Sequence, residues 1–197
     1  MKAYKCLLPG GVAPFTGFVW PQPAGGEPGH WVDTTGDLES CRNGAHVCRV
    51  DHLPHWLGPV LWSVEVDGEL VEAPDHVVAR RARLLAPVDG WDRDGVSAFA
   101  IDCSTRLANA IAAVESRDEA NAPALDPDLL SVLSGRSADA ATYAQQSNAA
   151  VTAYIAAIGA GELAAGGGRG PAFDQGFLTE RAEQASWLRE ALGLQDD

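Results

Sequence analysis

The period of the hydrophobic pattern changes near Trp91, and this change limits the possible folds more than any other feature of the chain. Before Trp91, apolar and polar residues alternate over short segments that end at glycine and proline, which is typical of β-strands. After Trp91, apolar residues recur every three or four positions, which is typical of amphipathic helices. The sequence therefore predicts an α+β fold. A small, mostly antiparallel β domain would span residues 1–91. A helical region packed on it, as a second domain or as part of one globular unit, would span residues 92–197.

Turn residues divide the first part into short extended segments. Asn43-Gly44 lies between two of them and predicts a two-residue hairpin turn, because both residues tolerate positive φ. Asp67-Gly68 predicts a second turn after the alternating segment 60–66. The predicted strands are 2–8, 15–20, 31–33, 60–66, 69–72 and 77–85, and one or two helical turns are predicted over 53–57.

The second part is rich in alanine and is predicted to be helical. We expect Gly135 to end a short helix, Ser137 to cap a long one that ends at Gly159, and the glycine-rich segment 159–170 to be a flexible link. The predicted helices are 95–116, 128–134, 137–158 and 173–192, with a loop over 118–127. The predicted apolar stripe of the last helix is Leu178, Ala182, Ala185, Leu188 and Leu192.

Acidic residues outnumber basic ones by 27 to 14, so the chain of 197 residues carries a formal charge of −13. Phosphate contacts need clustered Lys and Arg, so this balance excludes a nucleic-acid binder with a basic surface and argues against docking on anionic membranes. No apolar run approaches the ~20 residues of a membrane-spanning helix, and the first residues lack the apolar stretch of a signal peptide. The sequence therefore predicts a cytoplasmic protein whose four cysteines are free thiols, metal ligands or reactive groups.

The predicted hairpin brings together residue types that carry chemistry. With Asn43-Gly44 as the turn, Cys41 would face His46, and Cys48 would share their side of the hairpin. Three interpretations stay open: a zinc site, a reactive thiol beside a histidine, or core packing in which the thiols are buried. The zinc ligands would be Cys41, His46 and Cys48, with His52 or His55 as the fourth.

Arginines crowd the segment 77–85, where Arg80, Arg81 and Arg83 occur. They are suited to hold a phosphate or carboxylate ligand, or to pair with the abundant acids on a solvent-exposed strand face. The predicted ligand-binding residues are Lys5, Cys41, His46, Cys48, Arg80 and Arg81.

The segment 41–48 has the pattern C-x-x-G-x-H-x-C. It is followed by the short apolar segment 53–57 and by the strand-like segment 61–71, which contains Trp62-Ser63-Val64-Glu65 and Gly68-Glu69-Leu70-Val71. On these residues the chain resembles a family of bacterial and phage proteins, and its tail over 180–188 is similar to the actinobacterial members. The resemblance spans nearly the whole chain and implies no activity.

The order of these segments is also distantly similar to the ADP-ribosyltransferase fold. Tyr4-Lys5-Cys6 would stand at the first motif of that fold, residues 44–48 at the second, and residues 72–78 at the third. Lysine replaces the Arg or His of the first motif, and Cys48 replaces the serine of the second. The similarity implies an NAD- or nucleotide-using transferase, for which the candidate catalytic residues are Lys5, His46, Cys48, Glu72 and Asp75.

Because these motifs are altered, we expect a non-enzymatic binding or regulatory protein on an ADP-ribosyltransferase-like sheet. Its helical C-terminal region would contact a protein partner or a second copy of the chain, and neither nucleic acid nor membrane is an expected partner. The alternatives are the NAD- or nucleotide-using transferase and a zinc-stabilised interaction module.

Overall fold

The computed structural model describes residues 2–116 and 126–195, and it has the α+β fold that the hydrophobic pattern predicts. The chain divides into two compact units. The β unit consists of Met1–Asp92 together with Ala185–Asp197, and the helical unit is Arg93–Gln184. The loop predicted over 118–127 lies, up to residue 125, outside the described residues.

The sheet of the β unit contains β1 (Lys2–Leu7), β2 (Val32–Asp33), β3 (Ala45–Val47), β4 (Val60–Glu72) and β5 (Val77–Pro87). All its strand pairs are antiparallel: β1 pairs with β4, β4 with β5, and β5 with both β2 and β3. Directly after β3, the backbone of Cys48 exchanges two hydrogen bonds with Tyr4 of β1, at 2.7 and 2.8 Å between nitrogen and oxygen. The sheet therefore closes on itself as a small barrel.

Alternate residues of these strands fill the inside of the barrel. Ala3 and Leu7 of β1, Val64 of β4 and Leu84 of β5 belong to one buried cluster, because successive side chains of a strand point to opposite faces. Lys5 lies between Ala3 and Leu7 on the same face of β1. The side chain of this lysine is therefore directed into the barrel and not into solvent.

The turn predicted at Asp67-Gly68 is wrong, because β4 runs through both residues. The pairing shifts between Asp67, which faces Arg81, and Leu70, which faces Ala79. Gly68 has a φ of +81°, and a Cβ atom on it would lie 3.0 Å from a side-chain atom of β5. The glycine forms a β-bulge, and the local bend allows one long strand to curl around the barrel.

The predicted Asn43-Gly44 hairpin is also wrong, because the residues before it form a tight turn instead of a strand. The backbones of Glu39 and Asn43 exchange two hydrogen bonds, which close this turn. The strand that follows, β3, pairs with β5 and not with a strand before the turn. The Asn43 side chain donates to the carbonyl oxygens of Thr35 and Asp37 at 2.9 and 2.7 Å, which ties this turn to the preceding loop. This 39–43 turn takes the place of the predicted hairpin.

Two shorter predictions need smaller corrections. The segment 15–20 is not a strand, since its only ladder contact in the described residues is a single bridge from Val19 to Val12. The helical turns predicted over 53–57 begin earlier, as the 3₁₀ helix Val50–His55.

The described residues after Asp92 form α1 (Arg93–Glu115), α2 (Pro127–Gln145), α3 (Ala149–Ala165) and α4 (Pro171–Leu192). The last turns of α4, from Ala185 onward, belong to the β unit. The periodic residues of α1, from Phe99 to Ile111, are buried as their spacing predicts. Within the described ranges, none of the helices combines the length and the apolar character needed to cross a membrane.

The break between the second and third helices lies at residues 146–148 instead of at Gly135. α2 continues through Gly135, where a Cβ atom would meet nothing within 4 Å. Ser147 has a φ of +54°, and the Asn148 side chain accepts a hydrogen bond from the Val151 N–H at 3.2 Å, which caps α3. An exposed glycine costs a helix only about 1 kcal/mol, so packing of the flanking turns outweighs it.

Part of the predicted flexible link is helix. Gly159 and Gly161 lie inside α3, where a Cβ atom would come within 2.5 Å of Leu107 and 2.8 Å of the Phe173 ring. These glycines allow close packing, and α3 ends only at Gly166, which has a φ of +64°.

α4 buries only part of the predicted apolar stripe, since Ala185 and Leu188 are buried and Leu192 is half-buried. Leu178 is 55% exposed and Ala182 is exposed, whereas Phe173 is buried. The buried residues of this helix include three polar ones, Glu180, Arg181 and Gln184. An apolar pattern does not reveal such residues.

Candidate functional site

The β unit contains a cavity of about 730 Å³. Its wall includes four aromatic side chains, Phe15, Phe18, Trp20 and Trp56. Four of the predicted ligand-binding residues also line it: Lys5, Cys41, His46 and Cys48. A second cavity, of about 450 Å³ beside Gly193 and Leu194, is lined by none of the predicted site residues, so we place the candidate site in the aromatic cavity.

Lys5 brings an amine to the wall of this cavity. Its Nζ donates a hydrogen bond to the His46 carbonyl oxygen at 2.5 Å and lies 4.9 Å from the centroid of the Trp20 ring. Burial lowers the pKa of Lys5, and the nearby thiols of Cys48 and Cys6 oppose this shift. The charged form of this amine therefore carries a desolvation cost, which an anionic partner would offset.

His46 uses both of its ring nitrogens within the protein. Nδ1 is 3.0 Å from the Gly44 carbonyl oxygen, and Nε2 is 2.8 Å from the backbone nitrogen of Cys41. A carbonyl oxygen only accepts and a backbone N–H only donates, so Nδ1 carries the proton and Nε2 accepts. Burial lowers the pKa of His46, the bond to the Gly44 carbonyl oxygen opposes this shift, and the neighbouring His76 and Lys5 lower the pKa further. His46 is therefore a neutral residue that holds the 39–43 turn in place.

The thiols near the cavity differ in exposure. Cys41 is exposed and has a φ of +61°, whereas Cys6 and Cys48 are buried. Burial raises the pKa of Cys6 to about 12 and raises the pKa of Cys48 further. Since the thiolate is the reactive form, this buried environment disfavours Cys48 as a nucleophile at neutral pH.

The residues predicted to bind zinc are not arranged around a common point. In the part of the chain that the structure describes, no group of three or more His, Cys, Asp or Glu side chains is able to hold a metal ion. His46 has both nitrogens engaged, and the Nδ1 atom of His52 is 3.3 Å from the Arg49 backbone nitrogen.

Glu72, Arg80 and Arg81 lie outside the cavity lining and are paired within the protein. Glu72 forms an ion pair with Arg49. Arg80 donates to the carboxylate of Glu69 and to backbone carbonyls, and Arg81 pairs with Asp33 and stacks on Trp31 at 4.2 Å. The arginines of β5 thus pair with acids and with an aromatic ring, which is the second of the two interpretations of this strand.

A cluster that the sequence did not indicate lies at the edge of the cavity. Ser40 Oγ is 3.1 Å from His76 Nε2, and His76 Nδ1 is 2.7 Å from Asp75 Oδ1. Asp75 was a candidate catalytic residue, whereas Ser40 and His76 were not, because 36 positions separate them. The pairing of β3 with β5 brings the two segments together.

No protein-family model, no curated protein and no solved structure matches this chain. The resemblance to the family with the C-x-x-G-x-H-x-C pattern and the likeness to the ADP-ribosyltransferase fold therefore stay predictions. The function has to be inferred from the geometry of the cavity and its edge.

Proposed function

We propose that the β unit binds a small organic ligand in the aromatic cavity, and that the protein acts through this binding. The observation that carries the proposal is that one cavity of about 730 Å³ joins four aromatic side chains with the amine of Lys5. Ligand sites typically enclose about 300–1,000 Å³ and combine an apolar wall with a few polar groups that orient the ligand.

The lining residues favour a ligand with a flat apolar part and an anionic end. Phe18 meets Trp20 edge to face at 6.0 Å between ring centroids, and Phe15 meets Trp56 in the same way at 5.9 Å. Such walls suit flat apolar groups. A carboxylate or sulfonate beside Lys5 Nζ would favour the charged form of this amine and pair its buried charge.

The test uses two fluorescent probes of nearly the same shape. 1-Anilinonaphthalene-8-sulfonate is an aromatic anion, and N-phenyl-1-naphthylamine is its neutral counterpart. We expect saturable binding of the anion at one site per chain, with about tenfold weaker affinity in Phe18→Ala, equivalent to about 1.4 kcal/mol. Lys5→Met should lower the affinity for the anionic probe by a similar factor and leave the affinity for the neutral probe unchanged.

The matched control is Leu178→Ala, which removes from the helical unit an apolar side chain whose exposure is similar to that of Phe18. It should leave the affinity for both probes unchanged. Equal affinities in wild type, Phe18→Ala and Lys5→Met would exclude the cavity as the binding site.

No observation favours NAD over other ligands, because neither Glu72 nor Asp75 lines the cavity. The transferase stays a prediction, and thermal unfolding with millimolar NAD tests it, since a ligand that binds the native state raises the melting temperature. The cytoplasmic location and the association through the helical C-terminal region also stay predictions.

A further inference from the structure

We infer that Ser40, His76 and Asp75 form a catalytic triad that hydrolyses carboxylic esters with an apolar acyl group at the edge of the cavity. This activity goes beyond ligand binding and does not depend on the anion preference proposed for Lys5. It would also make the prediction of a non-enzymatic protein wrong.

The three side chains stand in the order that nucleophilic catalysis requires. Asp75 Oδ1 lies 2.7 Å from His76 Nδ1, so Nδ1 carries the proton and the lone pair of Nε2 faces the Ser40 hydroxyl at 3.1 Å. Ser40 is then the nucleophile, His76 the general base, and Asp75 the positioning residue that orients the imidazole.

The base is rigidly held, while the nucleophile is accessible. His76 is 4% exposed, and the Trp56 ring meets it edge to face at 5.8 Å. The Trp56 indole donates to the Asp75 carbonyl oxygen at 2.7 Å, and the N–H of Ala73 donates to the His76 carbonyl oxygen at 2.9 Å. Ser40 is exposed, so a substrate is able to reach its hydroxyl from solvent.

The surroundings of the triad indicate the class of substrate. His76, Trp56 and Phe15 all line the aromatic cavity, which suits an apolar acyl group.

The reaction balances with water as the second reactant. Ser40 Oγ attacks the ester carbonyl carbon while its proton moves to His76 Nε2. The bond to the alcohol oxygen breaks, the alcohol leaves with that proton, and an acyl-serine remains. Water then attacks the acyl carbon and gives a proton to His76 Nε2, which returns it to Ser40 as the carboxylic acid leaves.

The first measurement is hydrolysis of p-nitrophenyl butyrate by the full chain. Ser40→Ala and His76→Gln should each lower kcat/KM by about 100-fold or more, because they remove the nucleophile and the base. Asp75→Asn should lower kcat and leave KM unchanged, which a merely structural role would not do. Ser134→Ala is the matched control, since that exposed serine of the helical unit donates only to the Leu130 carbonyl in the described contacts.

The second measurement is covalent labelling by a fluorophosphonate, followed by peptide mapping. We expect one adduct on Ser40 in wild type and Ser134→Ala, and none in His76→Gln. The triad requires both the loss of turnover in its variants and the His76-dependent labelling of Ser40. Turnover that persists in Ser40→Ala, absence of turnover in wild type, or labelling that does not depend on His76 would each overturn it.

The two proposals fail separately. Ser40→Ala should keep the affinity for the aromatic anion, because Ser40 does not line the cavity. Absence of turnover in a wild-type chain that binds the probe would therefore overturn only the triad, and equal probe affinities in wild type, Phe18→Ala and Lys5→Met would overturn only the ligand site.

Discussion

The β unit and the helical unit both bury polar side chains, but they satisfy them in different ways. In the β unit, Lys5 and His46 bond to backbone groups around an open cavity. In the helical unit, Glu180 accepts two hydrogen bonds from Arg106, at 2.8 and 3.2 Å, and one from Gln184 at 2.9 Å. Gln184 also donates to the Ala153 carbonyl and accepts from Arg181.

The difference shows why the chemistry is expected in the β unit. A side chain beside a cavity is able to exchange part of its bonding for a ligand, because there is room for one. A buried network whose members bond each other has no such freedom, since removing one member leaves the others unpaired. We therefore expect the helical network to act on stability, and the polar groups of the β unit to be the ones that are able to contact a ligand.

Two spectroscopic signals separate the units in solution. All six tryptophans belong to the β unit, so tryptophan fluorescence reports on that unit alone. Far-ultraviolet circular dichroism is dominated by α1, α2, α3 and most of α4, which belong to the helical unit.

The largest effect is expected for Glu180→Ala in the helical network. The Glu180 side chain is 9% exposed, and its removal leaves the buried ends of Arg106 and Gln184 without their shared partner. We expect a loss of about 3 kcal/mol or more in the free energy of unfolding, measured by urea titration with circular dichroism. Glu183→Ala is the control on an exposed position of the same helix and should change stability by less than about 0.5 kcal/mol. Equal effects of the two variants would contradict the network.

Gly44→Ala should have the next largest effect, and it should act on the β unit. Gly44 has a φ of +135°, and a Cβ atom there would lie 2.1 Å from a Val78 methyl carbon. The clash and the backbone strain together should cost about 2–4 kcal/mol in urea unfolding followed by tryptophan fluorescence. Gly25→Ala also has positive φ but open surroundings, so it should cost only about 1–2 kcal/mol. A Gly44→Ala variant no less stable than Gly25→Ala would show that this close approach is absent.

Gly159→Ala tests the close packing of the helical unit. Its new methyl group would lie 2.5 Å from a Leu107 methyl carbon, so we expect a net loss of about 1–2 kcal/mol by circular dichroism even though alanine favours helix. Gly135→Ala adds the same methyl group in open space and should stabilise α2 by up to about 1 kcal/mol. If both variants were stabilised, Gly159 would not be a packing residue.

The smallest effect is expected for the contribution of His46 to the pH dependence of the β unit's stability below neutral pH. The pKa of His46 is lowered in the folded state by burial, and by His76 and Lys5, so the unfolded chain binds the proton more tightly. The stability is therefore fully present above the ordinary histidine pKa of 6.5 and is lost as the pH falls below it.

We expect the loss of unfolding free energy from this group between pH 7 and pH 5 to be smaller than the effects above, measured by urea unfolding with tryptophan fluorescence. His46→Gln should flatten the slope, and the part that remains belongs to other groups, among them His52, whose pKa burial also lowers. An unchanged slope in His46→Gln would contradict the neutral role of His46.

Three glycines show what the local sequence predicts and what it misses. From local sequence, Gly68, Gly135 and Gly159 each predict the end of a strand or helix. The structure places them in a bulge, in an exposed helical turn and at a close helix contact. A glycine permits several conformations, and neighbours distant in sequence decide which one it adopts.

The candidate site was predictable in part. Lys5, Cys41, His46 and Cys48 line one cavity, although the hairpin that was expected to unite them does not form. The aromatic wall and the pair Ser40 and His76 had no sequence signal, since neither the spacing nor the residue types follow a motif. Arg80 and Arg81 carry a charge that suits an anion, but acids on neighbouring strands neutralise it.

The sequence by itself determined the class of fold, the position where strands give way to helices, and the burial of the apolar positions in α1, because these follow from local periodicity. Only the tertiary structure decided which polar groups meet. The barrel closes through the Tyr4–Cys48 bridge, and β5 brings His76 to the turn that carries Ser40. Hydrogen bonds between residues 36 or more positions apart depend on the packing of the whole unit, and a local pattern carries no record of them.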